Sequence, residues 1–264
     1  MPSPIDILLD PISLIVLTLY AGLILWEAAA PGRDLPSVPH WKLRGLTSFW
    51  VFFYLSSYLP LLWDEHLAQY QLLDLTILGT TGGFIAGLLV YETGVWTWHR
   101  SMHKSKFLWR VCHQMHHSAE RLDCYGAFYF SITDMIGWTF LGSFCLVLVI
   151  GIEPKAATIL LLSVTFMGMF QHANIRTPRW LGYIIQRPES HTIHHGRGVH
   201  AFNYADLPLI DMLFGTFRNP TDYTLRTGFY LGGSKRVLDM LLFRDVSTPQ
   251  AKERTAGGAR WDSA

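Results

Sequence analysis

Residues 84–117 read FIAGLLVYETGVWTWHRSMHKSKFLWRVCHQMHH. An apolar helical stretch runs without a break into a segment dense in histidine and basic residues. His99 and His103 are four residues apart, so one helix face carries both imidazoles. His113, His116 and His117 follow as an HxxHH pattern, in which i, i+3 and i+4 again share a face. A second HxxHH, His191, His194 and His195, lies further along, and His172 stands by itself between the two. An apolar helix that delivers metal-binding side chains at its end predicts an all-α membrane bundle with a site on one of its faces.

The whole composition agrees with that reading. Of 264 residues, 50% are hydrophobic and only 16% are charged, against about 25% in ordinary soluble domains. Disorder is excluded by the same figures. A net charge of +1 leaves no bulk positive field for gripping nucleic acid. Cys112, Cys124 and Cys145 form no CxxC pair and no disulfide framework.

Five stretches are long and apolar enough to be read as membrane spans of roughly 20 residues: 5–28, 46–63, 72–96, 134–151 and 156–172. The last two are short and stand equally as an incomplete hairpin, so four to five spans are expected. Thr76, Gly79, Thr80, Thr81, Gly82, Gly83 and Gly87 read as close-packing positions in the third stretch. Those glycines lack the GxGxxG order of a phosphate loop. Asp6 and Asp10 stand where a signal peptide needs positive charge, which predicts a retained first helix. If the N-terminus is outside, 20 of the 21 Lys and Arg residues fall inside and only Lys155 outside. The short segments 29–45 and 97–110 alone hold seven of the inside ones. This topology places every histidine cluster on the cytoplasmic face, of the inner membrane in a bacterium or the endoplasmic reticulum in a eukaryote. Residues 1–244 are read as one membrane domain and 245–264 as a polar, frayed tail.

A single HxxxH is weak evidence, because exposed histidines fall at that spacing freely. One HxxxH followed by two HxxHH on the same membrane face is strong. Nine imidazoles, His99, His103, His113, His116, His117, His172, His191, His194 and His195, exceed the four to six ligands of one ion, so two metals are implied. Nitrogen donors suit a first-row transition metal rather than magnesium or calcium. Zinc satisfies the same ligand set. Two irons would have a use in such a site: reduction of dioxygen and attack on an unactivated C–H bond of a lipid.

The three histidine boxes resemble those of the fatty acid hydroxylase/sterol desaturase superfamily. After the third box that family typically shows Asn-Tyr-Gly and then Trp-Asp-x-Leu-Phe-Gly-Thr. This chain has Asn203-Tyr204-Ala205 and then Ile210-Asp211-Met212-Leu213-Phe214-Gly215-Thr216. The resemblance covers about residues 97–217, with Ala205 and Ile210 as departures. It implies a helical membrane bundle under a cytosolic cap that holds a di-iron centre. The implied activity is O2-dependent hydroxylation or desaturation of a lipid, sterol-like or fatty acyl, with the motif after the third box leaning to a sterol or other polycyclic lipid. Some relatives carry a histidine pair on the helix before the third box. Here only His172 is present, with Gly168 one turn earlier, so Asn174, His200 or water would complete the set.

Around these ligands, Glu92 lies two turns before His99 and reads as a supporting group, a proton route or a buried pairing partner. Asn203, Tyr204 and Asp211 are candidates for orienting ligand imidazoles, with a purely structural turn as the alternative; Glu189 is a weaker one. Cys112 reads as a packed thiol, and His40 and His66 as surface residues. No flavin, haem or ferredoxin pattern is present. Electrons are therefore expected from a separate cytochrome b5-like or ferredoxin-like donor. Arg176, Arg179, Arg187 and Arg197 offer that donor a basic surface, or else retain anionic lipid. The competing reading is a histidine-rich membrane metal-binding or transport protein, which would place its ligands near the bilayer midplane.

Overall fold

The computed structural model describes residues 1–224 and 226–249. The described residues are mostly helical, with almost no sheet, and several of the helix breaks have a local chemical cause. Helix α1 (Pro4–Leu9) starts in a capping box: Ser3 Oγ accepts the Asp6 N–H, and the Ser3 N–H donates to Asp6 Oδ2 at 2.8 Å. At Asp10 the backbone turns extended, its carboxylate accepts the Ile12 N–H, and Pro11 opens α2 (Pro11–Ala29). The first expected span is thus two helices. Helix α3 (Trp41–Tyr58) passes into α4 (Pro60–Ala68), where Pro60 lacks the N–H that would continue the ladder.

The third expected stretch is corrected more strongly. Leu73–Asp74 forms a short parallel pair with Ile150–Gly151, and Thr76–Leu78 is a single 3-10 turn. Gly79, at φ +63°, then admits the chain into α5 (Gly79–Lys104). This helix begins seven residues later than expected at Leu72 and continues past Trp96, carrying both His99 and His103. Helix α6 (Lys106–Leu108), a π-helical turn (Trp109–His113) and α7 (Gln114–His117) follow without a loop. Helix α8 (Ile132–Ser143) ends in a second π-helical turn, Phe144–Val149. Helix α9 (Pro154–His172) packs along α5. A Cβ on Gly83 would lie 3.2 Å from Ala156 Cβ, and one on Gly87 2.8 Å from Leu160 Cδ1, so these glycines do permit close approach. The remaining helices are α10 (Pro188–His194), α11 (Pro208–Leu213) and α12 (Val237–Leu241).

Among the described residues, three helical segments are long and apolar enough to cross a membrane: Pro11–Ala29, Trp41–Ala68 and Ile132–Val149, with mean hydropathies of 1.9, 1.3 and 1.7. Helices α5 and α9 fall outside that set, where the sequence reading expected four to five spans. Threonines, Glu92 and the histidines dilute α5, and Lys155, Gln171 and His172 sit at the ends of α9.

The apolar core has three parts. Two lie between the long helices, and in the third Trp41, Met115, Tyr129, Phe229 and Met240 gather. Val246 joins the third part fully buried, and its N–H donates to Gln114 Oε1 at 3.2 Å. The polar tail expected from Asp245 is therefore docked at its start; residues 250–264 of that expectation lie outside the described residues. Buried Glu27 ties the end of α2 to two site-bearing segments, accepting the N–H groups of Cys124 and Asn174 at 2.9 and 2.8 Å.

Candidate metal centre

All nine expected histidines converge, and they sort into two groups. His99, His103, His113, His117 and His194 form one; His116, His172, His191 and His195 form the other. Within each, one nitrogen per residue lies within 4.8 Å of the rest. The two HxxHH boxes divide in opposite ways. From the first, i and i+4 (His113, His117) enter the five-membered group and i+3 (His116) the other. From the second, i+3 (His194) enters the five-membered group, while i and i+4 (His191, His195) enter the other. Each box therefore contributes to both groups and binds them into one unit. The π-helical turn that ends at His113 sets the register of the first box.

The outer nitrogens of four rings are held. His113 Nδ1 donates to Asp134 Oδ2 at 2.8 Å, His99 Nδ1 to the Tyr204 carbonyl at 2.7 Å, His194 Nδ1 to the Phe202 carbonyl at 2.7 Å, and His172 Nδ1 to the Gly168 carbonyl at 2.6 Å. Each tether leaves the Nε2 lone pair pointing inward. His113 Nε2 and His99 Nε2 then lie 2.9 Å apart, two acceptors with no proton to share. His172 Nε2 is 3.0 Å from His116 Nε2 and 3.1 Å from His191 Nε2. The Nε2 atoms of His103, His117 and His194 are buried with no partner at all. An orphaned buried polar atom costs about 1–3 kcal/mol, and a bound cation would satisfy several of them at once. Facing lone pairs, a nitrogen-only donor set and fixed outer protons all fit transition-metal ions.

Charge supports the same reading. Burial, reinforced by neighbouring imidazoles, holds His99, His103, His116, His117, His191, His194 and His195 well below the usual histidine range. These rings are neutral near pH 7, as metal ligands must be.

The expected supporting residues act mostly through the backbone. Asp211 accepts the N–H groups of Tyr204 and Ala205 at 2.9 and 2.8 Å and the Thr216 hydroxyl, so it fixes the loop whose Tyr204 carbonyl orients His99. Ala205 keeps a negative φ, and its N–H serves this clamp without needing glycine. Asn203 donates to the Ser190 and Arg218 carbonyls and ties the third box to the segment after it. His200, Phe202 and Asn203 all have positive φ, at 40°, 69° and 50°. Such strain persists where surrounding contacts over-determine it, and here it aims the Phe202 carbonyl at His194. Buried Glu92 accepts the Asp206 and Leu207 N–H groups, both at 2.9 Å, and anchors this loop to α5.

Other expectations are revised. Asn174 donates its amide to the Arg33 carbonyl, not to the histidines. His200 Nδ1 lies 3.1 Å from His117 Nδ1, on the outer side of that ring, and joins neither group. Glu189 accepts from Thr177 and pairs with Arg187 at 3.6 Å. Arg187 is completely buried and cannot belong to a docking surface, whereas Arg176 and Arg179 are exposed. Cys112 is buried, and His40 and His66 are exposed. The sequence reading missed Asp134, which it used only as the edge of a span; a carboxylate at the rim of an apolar stretch was the available signal. It also missed Gln171 and Asp206.

Beside both groups lies a cavity of about 130 Å³ walled by Phe52, Phe130, Trp138 and Val164 and reached by His99, His113, His116, His172 and His191. It is enough for a short stretch of hydrocarbon beside the metal-facing nitrogens.

A helical membrane protein with two interleaved histidine groups over an apolar cavity is the class that this fold and site define. The chain belongs to the fatty acid hydroxylase family, whose sequence model matches residues 84–216, just over half of the chain. It is similar to the ornithine lipid hydroxylase OlsE of Rhizobium tropici, at 34% identity over 142 residues, 52% of this chain and 42% of that protein. It is also similar to sphinganine C4-monooxygenase 1 of Arabidopsis thaliana, at 25% identity over 138 residues, 51% of this chain and 53% of that protein. The matched part thus spans about half the length of these curated relatives. No solved structure matches.

Proposed function

We propose that this chain is a membrane-bound non-haem di-iron oxidoreductase that uses O2 and electrons from a separate protein to hydroxylate a lipid. The observation that carries the reading is the division of nine converging imidazoles into two groups, with His99, His113, His116, His172 and His191 lining a largely apolar cavity. Nine nitrogen donors would suit two irons, His99, His103, His113, His117 and His194 holding one and His116, His172, His191 and His195 the other. Such a pair supplies dioxygen reduction and removal of hydrogen from an unactivated C–H bond. The protein's own part is to hold the imidazoles neutral and oriented, and to line the approach with Phe52, Phe130, Trp138 and Val164 so that water is kept from the reacting carbon.

Hydroxylation is favoured over desaturation because both relatives are named as a hydroxylase or a monooxygenase. Neither is named for a sterol, so an acyl or long-chain lipid replaces the polycyclic lipid towards which the motif leaned. The excess of basic residues beside the boxes supports a cytoplasmic site. Exposed Arg176 and Arg179 suit an acidic cytochrome b5-like or ferredoxin-like donor. The transport reading is disfavoured, because the histidines sit at helix ends rather than along the spans.

Metal analysis of anaerobically purified protein tests the proposal. About two irons per chain are expected, with loss on His116→Ala or His194→Ala. Stoichiometric zinc with no oxygen consumption under a reducing system would sink it.

A further inference from the structure

The cavity beside the histidines is largely apolar; apart from the ligand imidazoles, its polar lining is Tyr91 of α5, Asp206, and Thr165 and Gln171 on the face of α9. Thr165, Gly168 and Gln171 recur every third residue there and all line it, one turn from His172. Gly168 is unusual. A helix-interior glycine costs about 1 kcal/mol relative to alanine, and such a residue is commonly retained for close packing. Yet a Cβ at Gly168 would meet nothing within 4 Å. The open volume in front of it is the cavity itself.

Gln171 borders that volume. Its side-chain nitrogen donates to Asp206 Oδ1 at 2.6 Å, which fixes the amide so that the oxygen faces the other way. Gln171 is only 7% exposed, and its Oε1 is buried with no hydrogen-bond partner. A buried acceptor left empty costs about 1–3 kcal/mol. Neither lysine nor arginine lines the cavity, so nothing here receives a carboxylate or phosphate.

Resting on the lipid-oxidising reading above, we propose that Gln171 Oε1 is a substrate-recognition point that accepts a hydrogen bond from an O–H or N–H donor of the lipid. Asp206 positions Gln171, and Gly168 makes room for the donor-bearing part of the chain. Gln171 lines the same cavity of about 130 Å³ as His172 and four other ligand histidines, so the group it holds stands close to the carbon presented to the metals. The substrate class is therefore a lipid with a hydroxyl or amide N–H close to the oxidised carbon, rather than a plain acyl chain oxidised far from any polar group. A donor held there also selects which carbon is presented, because rotation or sliding of the chain breaks the bond.

The test uses the full-length protein in detergent, iron-loaded and with its metal content verified. Equilibrium dialysis measures two matched pairs of probes: N-methylpalmitamide against N,N-dimethylpalmitamide, and hexadecanol against its methyl ether. The donor-bearing member of at least one pair is expected to bind about five- to tenfold more tightly, the yield of a net hydrogen bond of about 1 kcal/mol or slightly more. The pair that discriminates identifies the donor as amide or hydroxyl. Gln171→Leu is expected to bring that ratio to about one by weakening only the donor-bearing probe, with iron content unchanged. Equal binding within both pairs by the wild-type protein overturns the proposal even if the variant fails to fold, and so does a ratio that survives Gln171→Leu. Either result with iron bound and lipid oxidised leaves the di-iron reading standing. Failure to bind iron defeats that reading instead.

Discussion

His113 Nδ1 and Asp134 Oδ2 lie 2.8 Å apart, with both side chains buried. The carboxylate accepts the proton on the outer ring nitrogen, turns Nε2 towards His99, and raises the basicity of the ring as a ligand. Removing such a support costs about 10–100-fold in metal affinity. Asp134→Ala is expected to fall in that range, and Asp134→Asn nearer its lower end because an amide oxygen still accepts. Competition with a chelator measures it. Affinity unchanged in both variants would assign Asp134 to folding alone.

The two groups give separable losses. His99→Ala is expected to leave about one iron per chain, held by His116, His172, His191 and His195, and His191→Ala about one in the other group. Elemental analysis with Mössbauer spectroscopy distinguishes the two remaining sites. Complete loss in both variants would show that neither ion is held without the other.

Acid should destabilise the metal-free protein. Burial lowers several histidines in the folded state, His200 to about 4 and rings such as His116 and His195 well below the usual histidine range. A folded pKa below the unfolded one means that the unfolded chain takes up protons first. Stability is therefore fully present above about pH 6.5 and lost as pH falls towards the folded values. Each such histidine contributes a slope of up to about 1.4 kcal/mol per pH unit in that window. Thermal melts of apo protein between pH 7.5 and 5 check this. Iron loss should follow the same direction, since protons and metal compete for one nitrogen.

Space at Gly168 is a substrate property rather than a folding one. Gly168→Leu leaves the backbone carbonyl that orients His172 in place and puts a side chain into the cavity. Iron content is expected to be retained, while binding of long-chain lipid falls by about tenfold or more, in keeping with the loss of about 1.4 kcal/mol or more of binding energy. Equal lipid binding by the variant would place the substrate elsewhere.

The loop after the third box predicts a different pattern. Asp211→Ala removes the acceptor shared by Tyr204, Ala205 and Thr216, and with it the support for the carbonyl that holds His99. Metal affinity in the five-histidine group is expected to weaken more than in the four-histidine group, which chelator titration of the two sites resolves.

How much of this was legible beforehand depends on range. Helical spacing is local, so His99-x3-His103 and the two HxxHH boxes showed in the sequence that eight imidazoles share helix faces, and their number implied two ions. Low charge and apolar runs determined a membrane bundle in the same way. The breaks at Asp10, Pro60 and Gly79 have local causes too, in a capping carboxylate, a missing N–H and a left-handed glycine. The apolar runs concealed them, because hydropathy averages over a whole window.

Only the tertiary structure decided which histidine joins which group, and what stands behind each ring. Asp134 is 21 residues from His113, and the Tyr204 carbonyl is 105 residues from His99. A carbonyl oxygen carries no residue identity, so no spacing rule could mark those of Gly168, Phe202 and Tyr204 as the groups that orient His172, His194 and His99. The same holds for Gln171. Its amide is ordinary in the sequence, and it becomes a recognition point because folding places Asp206 against its nitrogen and leaves its oxygen buried without a partner.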